Sequence, residues 1–424
     1  MAPPETVSGD RNAVFVTWDG PRSTYLRALF LPILAALRKH GYRFHVLQFT
    51  WADLSERSET GQACREYGIP YRSVTIWRRP IAAGSLLTAL WGRTHVRRAV
   101  RDWRIDLLMP RSTLPALAAI GVRAPNGRNL PVLLDADGLP HDERVDFHGA
   151  SPSALSQRIL RKIEAWAVRA AEAVTVRTST AARILTERAG TDKPFFVVAN
   201  GRDPAVFRPQ DGRERVESRS QLGLSGDQPL LVYCGSSLHG KYRGEAMLRF
   251  FGHVRARMPD ARLLLLLPDL FEARAMLAGQ PDLASACLLR SATPEEVPAW
   301  LSAADLGLSL IHASFSMQAA SPIKIGEYLL CGVPVLGSAG VGENAESGSD
   351  LGCWLERVDD PSLAAAADWF VDTVLPDREG FRERCRSAGL ADHSIDVAVA
   401  GYERALRRAA CARSTIDRGM IASE

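Results

Sequence analysis

Lys324 and Glu327 stand three residues apart inside the run SPIKIGEYLLCGVPVLG at 321–337. Ser321 is a good N-cap residue, and Pro322 at the first helical position has no amide hydrogen to leave unpaired. Gly332 supplies a left-handed C-cap, Pro334 blocks continuation, and the following VLG reads as a short buried strand. The pattern predicts a three-turn helix with Lys324 in its first turn and Glu327 in its second. At i, i+3 the two lie on one face, near a helix N-terminus that attracts anions. A cation with free amides suits a diphosphate, and a carboxylate one turn on suits two ribose hydroxyls. That is the outline of a nucleotide site.

The competing reading is a surface Lys–Glu pair worth a few tenths of a kcal/mol. Composition decides between them. Of 52 Lys plus Arg, five are lysine: Lys39, Lys162, Lys193, Lys241 and Lys324. A chain that uses arginine for nearly every generic cation keeps lysine at two places after residue 200, both near glycines. A compact ammonium fits between phosphate oxygens where a forked guanidinium does not.

The elements that must position these groups follow from periodicity. Short apolar runs alternate with helix-length amphipathic stretches, the signature of parallel sheets wrapped by helices. Strands are expected at 14–18, 44–49, 71–76, 107–109, 132–134 and 174–176, with helices at 24–39, 54–67, 85–101 and 154–171. The plan repeats with strands near 230–233, 262–267, 287–289, 306–310, 333–336 and 353–355. VVANGRDPAVFRPQDG at 197–212 reads as a connection between domains. We expect an N-terminal Rossmann-like domain over 12–200 and a second over 205–390, facing each other across a cleft. A helical segment at 391–424 is a candidate to pack back on the first domain.

Seven scattered cysteines without a C-x-x-C pair predict a reduced cytoplasmic chain and no metal cluster. The polar N-terminus carries no signal-like apolar stretch, and the LLLLLP run at 263–268 is too short to span a membrane. Charge is uneven. Residues 1–200 hold 28 Lys plus Arg against 18 Asp plus Glu, a balance of +10, and the remainder carries −6. The first half is therefore expected to meet something anionic.

Further motifs carry a family likeness. WDG at 18–20, DADGLPHDERVD at 135–146, VVANGRDPAVFRP at 197–209, LVYCGSSLHGKYRG at 231–244 and EVPAWLSAADLGLSLI at 296–311 join the 321–335 run in order. Together they resemble the retaining GT-B glycosyltransferases of family 4 (glycosyl transferases group 1). The resemblance implies two doubly wound α/β domains, the second holding a nucleotide-diphosphate sugar and the first an acceptor. It places Glu327 on the ribose and Ser321, Pro322, Ile323 and Lys324 at the phosphates. Gly235 and Ser236 open the first loop of the nucleotide domain, with Lys241 as its cation. One departure stands out: the glutamate common eight positions before the ribose carboxylate is Ala319 here, so either Ser316, Gln318 or Ser321 substitutes or the donor sugar is gripped differently.

Ligands in doubly wound sheets sit beyond the carboxyl ends of strands. That rule selects Asp19, Gly20, Arg111 and Glu143 for the acceptor, with Asp137 and His141 orienting its hydroxyl. Asp135 is read as a residue that tightens a turn. A metal on the DADG pair is not expected, because Lys241, Lys324 and helix amides already neutralise a diphosphate. No cofactor is then needed beyond the donor substrate. In retaining relatives the leaving phosphate is thought to take the acceptor proton; with inversion, His141 or Asp137 would be the base.

The stretch 77–104 interleaves Trp77, Trp91 and Trp103 with arginines. It fits contact with an anionic membrane face, although a solvated helix with buried tryptophans is the favoured reading. Nucleic acid is not expected as a partner. The function expected is transfer of a sugar to a glycan or polyprenyl-linked acceptor in cell-surface polysaccharide synthesis, at the inner face of the plasma membrane. A sugar-nucleotide epimerase or hydrolase of the same fold, or a non-catalytic sugar-nucleotide sensor, are the alternatives.

Overall fold

The computed structural model describes residues 10–421 except Arg22, Pro80 and 344–350, and backbone alone for 81–82 and 413–421. The chain divides into two compact units, one holding the chain up to Val198 and again from Ala398, the other Ala199–Val397.

In the first unit β1 (Arg11–Asp19), β2 (Tyr42–Thr50), β3 (Tyr71–Thr75) and β4 (Leu107–Pro110) form a parallel sheet in the order β3-β2-β1-β4. Parallel bridges Leu108–Val132 and Arg111–Asp135 carry it across to β5 (Leu133–Asp135), which pairs with β6 (Ala173–Val176), itself paired with β7 (Phe195–Val197). The reversal of strand order between β1 and β4 opens a crevice at their carboxyl ends. The helix expected over 24–39 is a continuous right-handed helical run whose hydrogen-bond spacing changes along it, wide at Leu26–Phe30, α-helical at Leu31–Ala36 and tight at Leu37–His40.

The second unit repeats the plan with β8 (Leu230–Cys234), β9 (Arg262–Leu266), β10 (Cys287–Arg290), β11 (Leu306–Ser309), β12 (Val335–Ser338) and β13 (Gly352–Leu355). The order is β10-β9-β8-β11-β12-β13, every pair parallel. Such strands are covered on both faces, which is why they read as unbroken apolar runs. Leu231 and Tyr233 enter one core with Phe250, Leu263 and Leu308, while Leu230 and Val232 enter the opposite one with Leu264, Tyr328 and Leu330. Helix starts follow their caps: Asp53, Thr178 and Asp359 each accept an amide three residues on, and Asp211 with Glu214 forms a full capping box.

The key helix is shorter than expected, Ile323–Leu330, eight residues and just over two turns. Pro322, with extended backbone, occupies the N-cap instead of the first helical position, so Ser321 is not the cap. Gly332 adopts the expected left-handed conformation, φ +74°.

Candidate functional site

The residues singled out by sequence fall into two groups, one in each unit. In the second unit they collect at the carboxyl ends of β8 and β11. After Cys234 the chain turns immediately at Gly235, where a Cβ would stand 2.3 Å from the Tyr233 hydroxyl. That hydroxyl donates to the Ser237 carbonyl at 2.5 Å and fixes the loop beneath it. Glu272 braces the same loop, accepting from Ser237 Oγ at 2.7 Å and the Leu238 amide at 3.0 Å. These bonds hold its carboxyl below the usual range, the Leu238 amide contributing most. At the far end the Lys241 carbonyl accepts the His312 amide at 2.8 Å, and the Arg243 amide reaches Leu310 at 3.1 Å. The loop is tied to β11 as well as β8. Ser236 lies exposed on it.

Lys324 is buried with its ammonium 4.1 Å from the ring centre of Tyr233 and 4.6 Å from that of Tyr242. Its Nζ makes no hydrogen bond with the protein. Burial pushes its pKa down to about 8, against the opposing pull of Cys234 and Glu327. A desolvated ammonium on two aromatic faces, with its donors unmet, is a site made for an anion. Lys241, half-buried, stands 5.8 Å from the Tyr242 ring. The helix contributes fewer amides than expected, because Ile325 N already donates to the Pro322 carbonyl at 3.1 Å.

Glu327, one turn on, is buried and ion-paired: its Oε1 lies 2.7 Å from Arg202 Nη2. Arg202 comes from the connecting segment and lies over the Phe207 ring at 4.5 Å. Asn200 from the same segment donates to the Ser321 carbonyl at 2.8 Å, fixing how the chain enters the helix. Arg386 closes the other end through the Leu330 and Phe207 carbonyls, both at 2.7 Å. Ala319 is wholly buried in the turn Ser316–Ala319, and Ser316 is buried beside it. Sequence reading missed Tyr233, Tyr242, Glu272 and Arg202; the tyrosines in the LVYCGSSLHGKYRG run were the available signal.

The second group surrounds a cleft of about 400 Å³ at the ends of β1 and β4, lined by Trp18, Asp19, Gly20, Trp51, Arg78 and Arg144 among others. Asp19 ends β1 and accepts from Thr17 Oγ1 at 2.8 Å and Gln48 Nε2 at 3.1 Å. A Cβ on Gly20 would come within 2.6 Å of the Trp51 ring, so any larger residue there would have to displace that ring. Arg78 lies over that ring at 4.3 Å.

Arg111 lies over the Phe30 ring at 4.5 Å and pairs with Asp137 at 2.5 Å and Asp135 at 3.7 Å. Burial works against its charge, but Asp137 and Asp135 outweigh that and raise its pKa. Asp135 does more than tighten a turn. It is fully buried and accepts from Thr175 Oγ1 at 2.7 Å, Arg177 at 3.0 Å and the Tyr402 hydroxyl at 3.0 Å. With two guanidiniums on it, this carboxylate anchors Arg111 and is not a ligand. The next residue after Arg111, Ser112, has φ +68°, a strained conformation for serine at the cleft wall.

His141 lines the cleft and is buried, with Nε2 2.9 Å from Thr113 Oγ1 and 4.0 Å from Glu164 Oε1. Burial, then Arg144, lowers its pKa to about 4, so the ring is neutral at pH 7. Burial raises Glu164 to about 7 despite Arg188. Asp137, half-exposed, reaches the cleft from the strand end. Glu143 does not join these groups; it is absent from the cleft lining.

Residues 27–201 match the sequence family described as Glycosyl transferase 4-like domain. With the twin Rossmann-like architecture, the chain has the GT-B fold, and its matched segment is similar to glycosyltransferases. No curated protein matches it by sequence. Among solved structures it is similar to Anabaena Alr3699/HepE in complex with UDP, at 16% identity and TM-score 0.68 over 93% of this chain and 99% of that one. WaaG, a glycosyltransferase involved in lipopolysaccharide biosynthesis, aligns at 15% identity and TM-score 0.67 over 93% and 99%. A UDP-N-acetylglucosamine 2-epimerase aligns at 15% identity and TM-score 0.56 over 93% and 94%. At these identities the likeness is one of fold.

Proposed function

We propose that the chain transfers a glycosyl group from a uridine diphosphate sugar to a glycan or lipid-linked acceptor, with retention, in cell-surface glycan synthesis. The observation that carries this reading is the buried Lys324 ammonium, desolvated and without a hydrogen-bond partner, one helical turn from Glu327. A diphosphate supplies the missing acceptors, and Glu327 takes the ribose hydroxyls with the oxygen that faces away from Arg202. Uridine is favoured by the UDP and UDP-glucose complexes of HepE. The bond from the sugar C1 to the diphosphate breaks and a bond from C1 to the acceptor oxygen forms. The acceptor proton passes to the departing phosphate, whose charge Lys324 and Lys241 stabilise. These cations take the place of a divalent metal.

On the acceptor side Trp18, Trp51 and Tyr25 offer faces for a sugar ring, while Arg78 and Arg144 favour an anionic group on it. WaaG's part in lipopolysaccharide biosynthesis supports a cell-envelope product.

Thermal shift against UDP, GDP and ADP tests the donor class. A ligand at 100-fold its Kd should stabilise by roughly 2.7 kcal/mol. UDP is expected to shift the wild type and not Glu327→Ala; no shift with any nucleotide would sink the reading. Donor-only chemistry is the second reading, supported by the likeness to the epimerase fold. An altered sugar nucleotide formed without acceptor would favour it.

A further inference from the structure

The helix Ile81–Asp102 presents an outer face that nothing in the cleft uses. Leu87, Leu90 and Trp91 are each more than half exposed on it, and Thr94, Arg97 and Arg98 continue the same stripe at three- and four-residue spacing. Trp77 is 63% exposed beside the start of this helix, where its amide donates to Thr88 Oγ1 at 2.9 Å. The expectation that these tryptophans are buried is corrected for both Trp77 and Trp91. The helix carries no acidic residue before Asp102, which pairs with Arg72 and Arg101. Arg97 and Arg98 have no carboxylate partner among the described residues.

We infer that this face is a docking surface for an anionic lipid bilayer, with Leu87, Leu90, Trp91 and Trp77 entering the interface and Arg97 and Arg98 engaging phosphate headgroups. Exposed leucines and tryptophan beside unpaired arginines are the composition of a helix lying in the membrane plane. Spanning is excluded for the described helices, none of which is long and apolar enough. A second copy of the chain suits the face less well, since a twofold contact would oppose two unneutralised arginine pairs. The same segment reaches the cleft: Arg78 and Ser85 line it, so a headgroup-borne acceptor would be met at its rim. This last consequence rests on the transferase reading; the docking does not.

Co-sedimentation with phosphatidylcholine vesicles, with and without phosphatidylglycerol, tests the surface. Wild type should bind the anionic vesicles and not the neutral ones. Leu87→Ser/Leu90→Ser/Trp91→Ser should weaken binding at least tenfold, and Arg97→Gln/Arg98→Gln by roughly 30-fold, with one headgroup interaction lost per cation. Both variants should keep the wild-type melting temperature and UDP shift, which separates loss of docking from failure of the donor site. If the apolar variant does not fold, the arginine variant, altered only at exposed positions, decides. Equal binding to neutral vesicles, or no binding at all, overturns the inference. So does a wild-type dimer that the apolar variant converts to monomer, which would make the face a contact between copies.

Discussion

Arg202 Nη2 lies 2.7 Å from Glu327 Oε1, both side chains nearly buried, so the carboxylate proposed for the ribose is aimed by a residue 125 positions earlier. Removing one partner of such a pair leaves the other charged and unsolvated, which costs about 3–5 kcal/mol. Arg202→Ala should therefore lower the melting temperature and weaken UDP binding more than tenfold. Arg202→Met/Glu327→Met should recover most of the stability and none of the affinity. Calorimetric titration alongside thermal melting separates the two effects.

Lys324 is a cost to the unliganded fold. An unfolded lysine titrates near 10.4, so a native pKa of about 8 means the unfolded chain binds more protons between those values. Stability at this residue rises with pH from about 8 to 10.4 and is penalised below that window, by roughly 3 kcal/mol. Lys324→Met should melt a few degrees higher than wild type at pH 7 and lose the nucleotide shift. The advantage should fade by pH 10 to 11, as wild type sheds the proton. A wild type more stable than Lys324→Met at pH 7 would contradict this account.

Opposite slopes meet at His141 and Glu164. His141 is lowered to about 4, so its contribution to stability rises with pH up to the unfolded value near 6.5. Glu164 is raised to about 7, so its contribution falls as pH climbs from its unfolded value near 4.3 through 7. The two nearly cancel in wild type. Glu164→Gln should expose the rising limb between pH 4 and 6.5, and His141→Gln the falling one. Urea midpoints across that range read both, and two flat profiles would refute the prediction.

The Tyr402 hydroxyl donates to Asp135 at 3.0 Å and accepts from Arg177 at 2.8 Å. Tyr402→Phe keeps the ring and strips both bonds from a fully buried charge cluster. The expected loss is about 1–3 kcal/mol, read as a lower unfolding midpoint of the first unit. UDP binding, which is proposed for the other unit, should be unchanged.

Apolar runs such as LLVYC and RLLLL announced their strands because parallel sheets bury both faces. The Lys324/Glu327 pairing on one helix face was also legible, since i, i+3 is a local relation. What stayed hidden is non-local. Asp135 looked like a turn residue because its partners Arg177 and Tyr402 are 42 and 267 residues away. Arg202 lay in a segment whose Gly, Pro and Asp content marked it only as a connection. The start of the key helix slipped by one residue, with Pro322 rather than Ser321 at the cap, a shift of the size by which helix ends ordinarily vary. Trp77 and Trp91 show the limit of composition, which gives a helix its chemistry without saying which side faces the core.

The segment from Ala398 onward belongs to the unit that begins the chain, and Tyr402 within it completes the charge cluster around Asp135. During synthesis the first two hundred residues therefore emerge without the hydroxyl that their buried guanidinium and carboxylate require. That unit must wait, incompletely packed, while the intervening unit is made. Release of the nascent chain and maturation of the cleft are thus coupled. A chain ending before residue 398 would carry all of the second unit and a first unit without the Tyr402 hydroxyl.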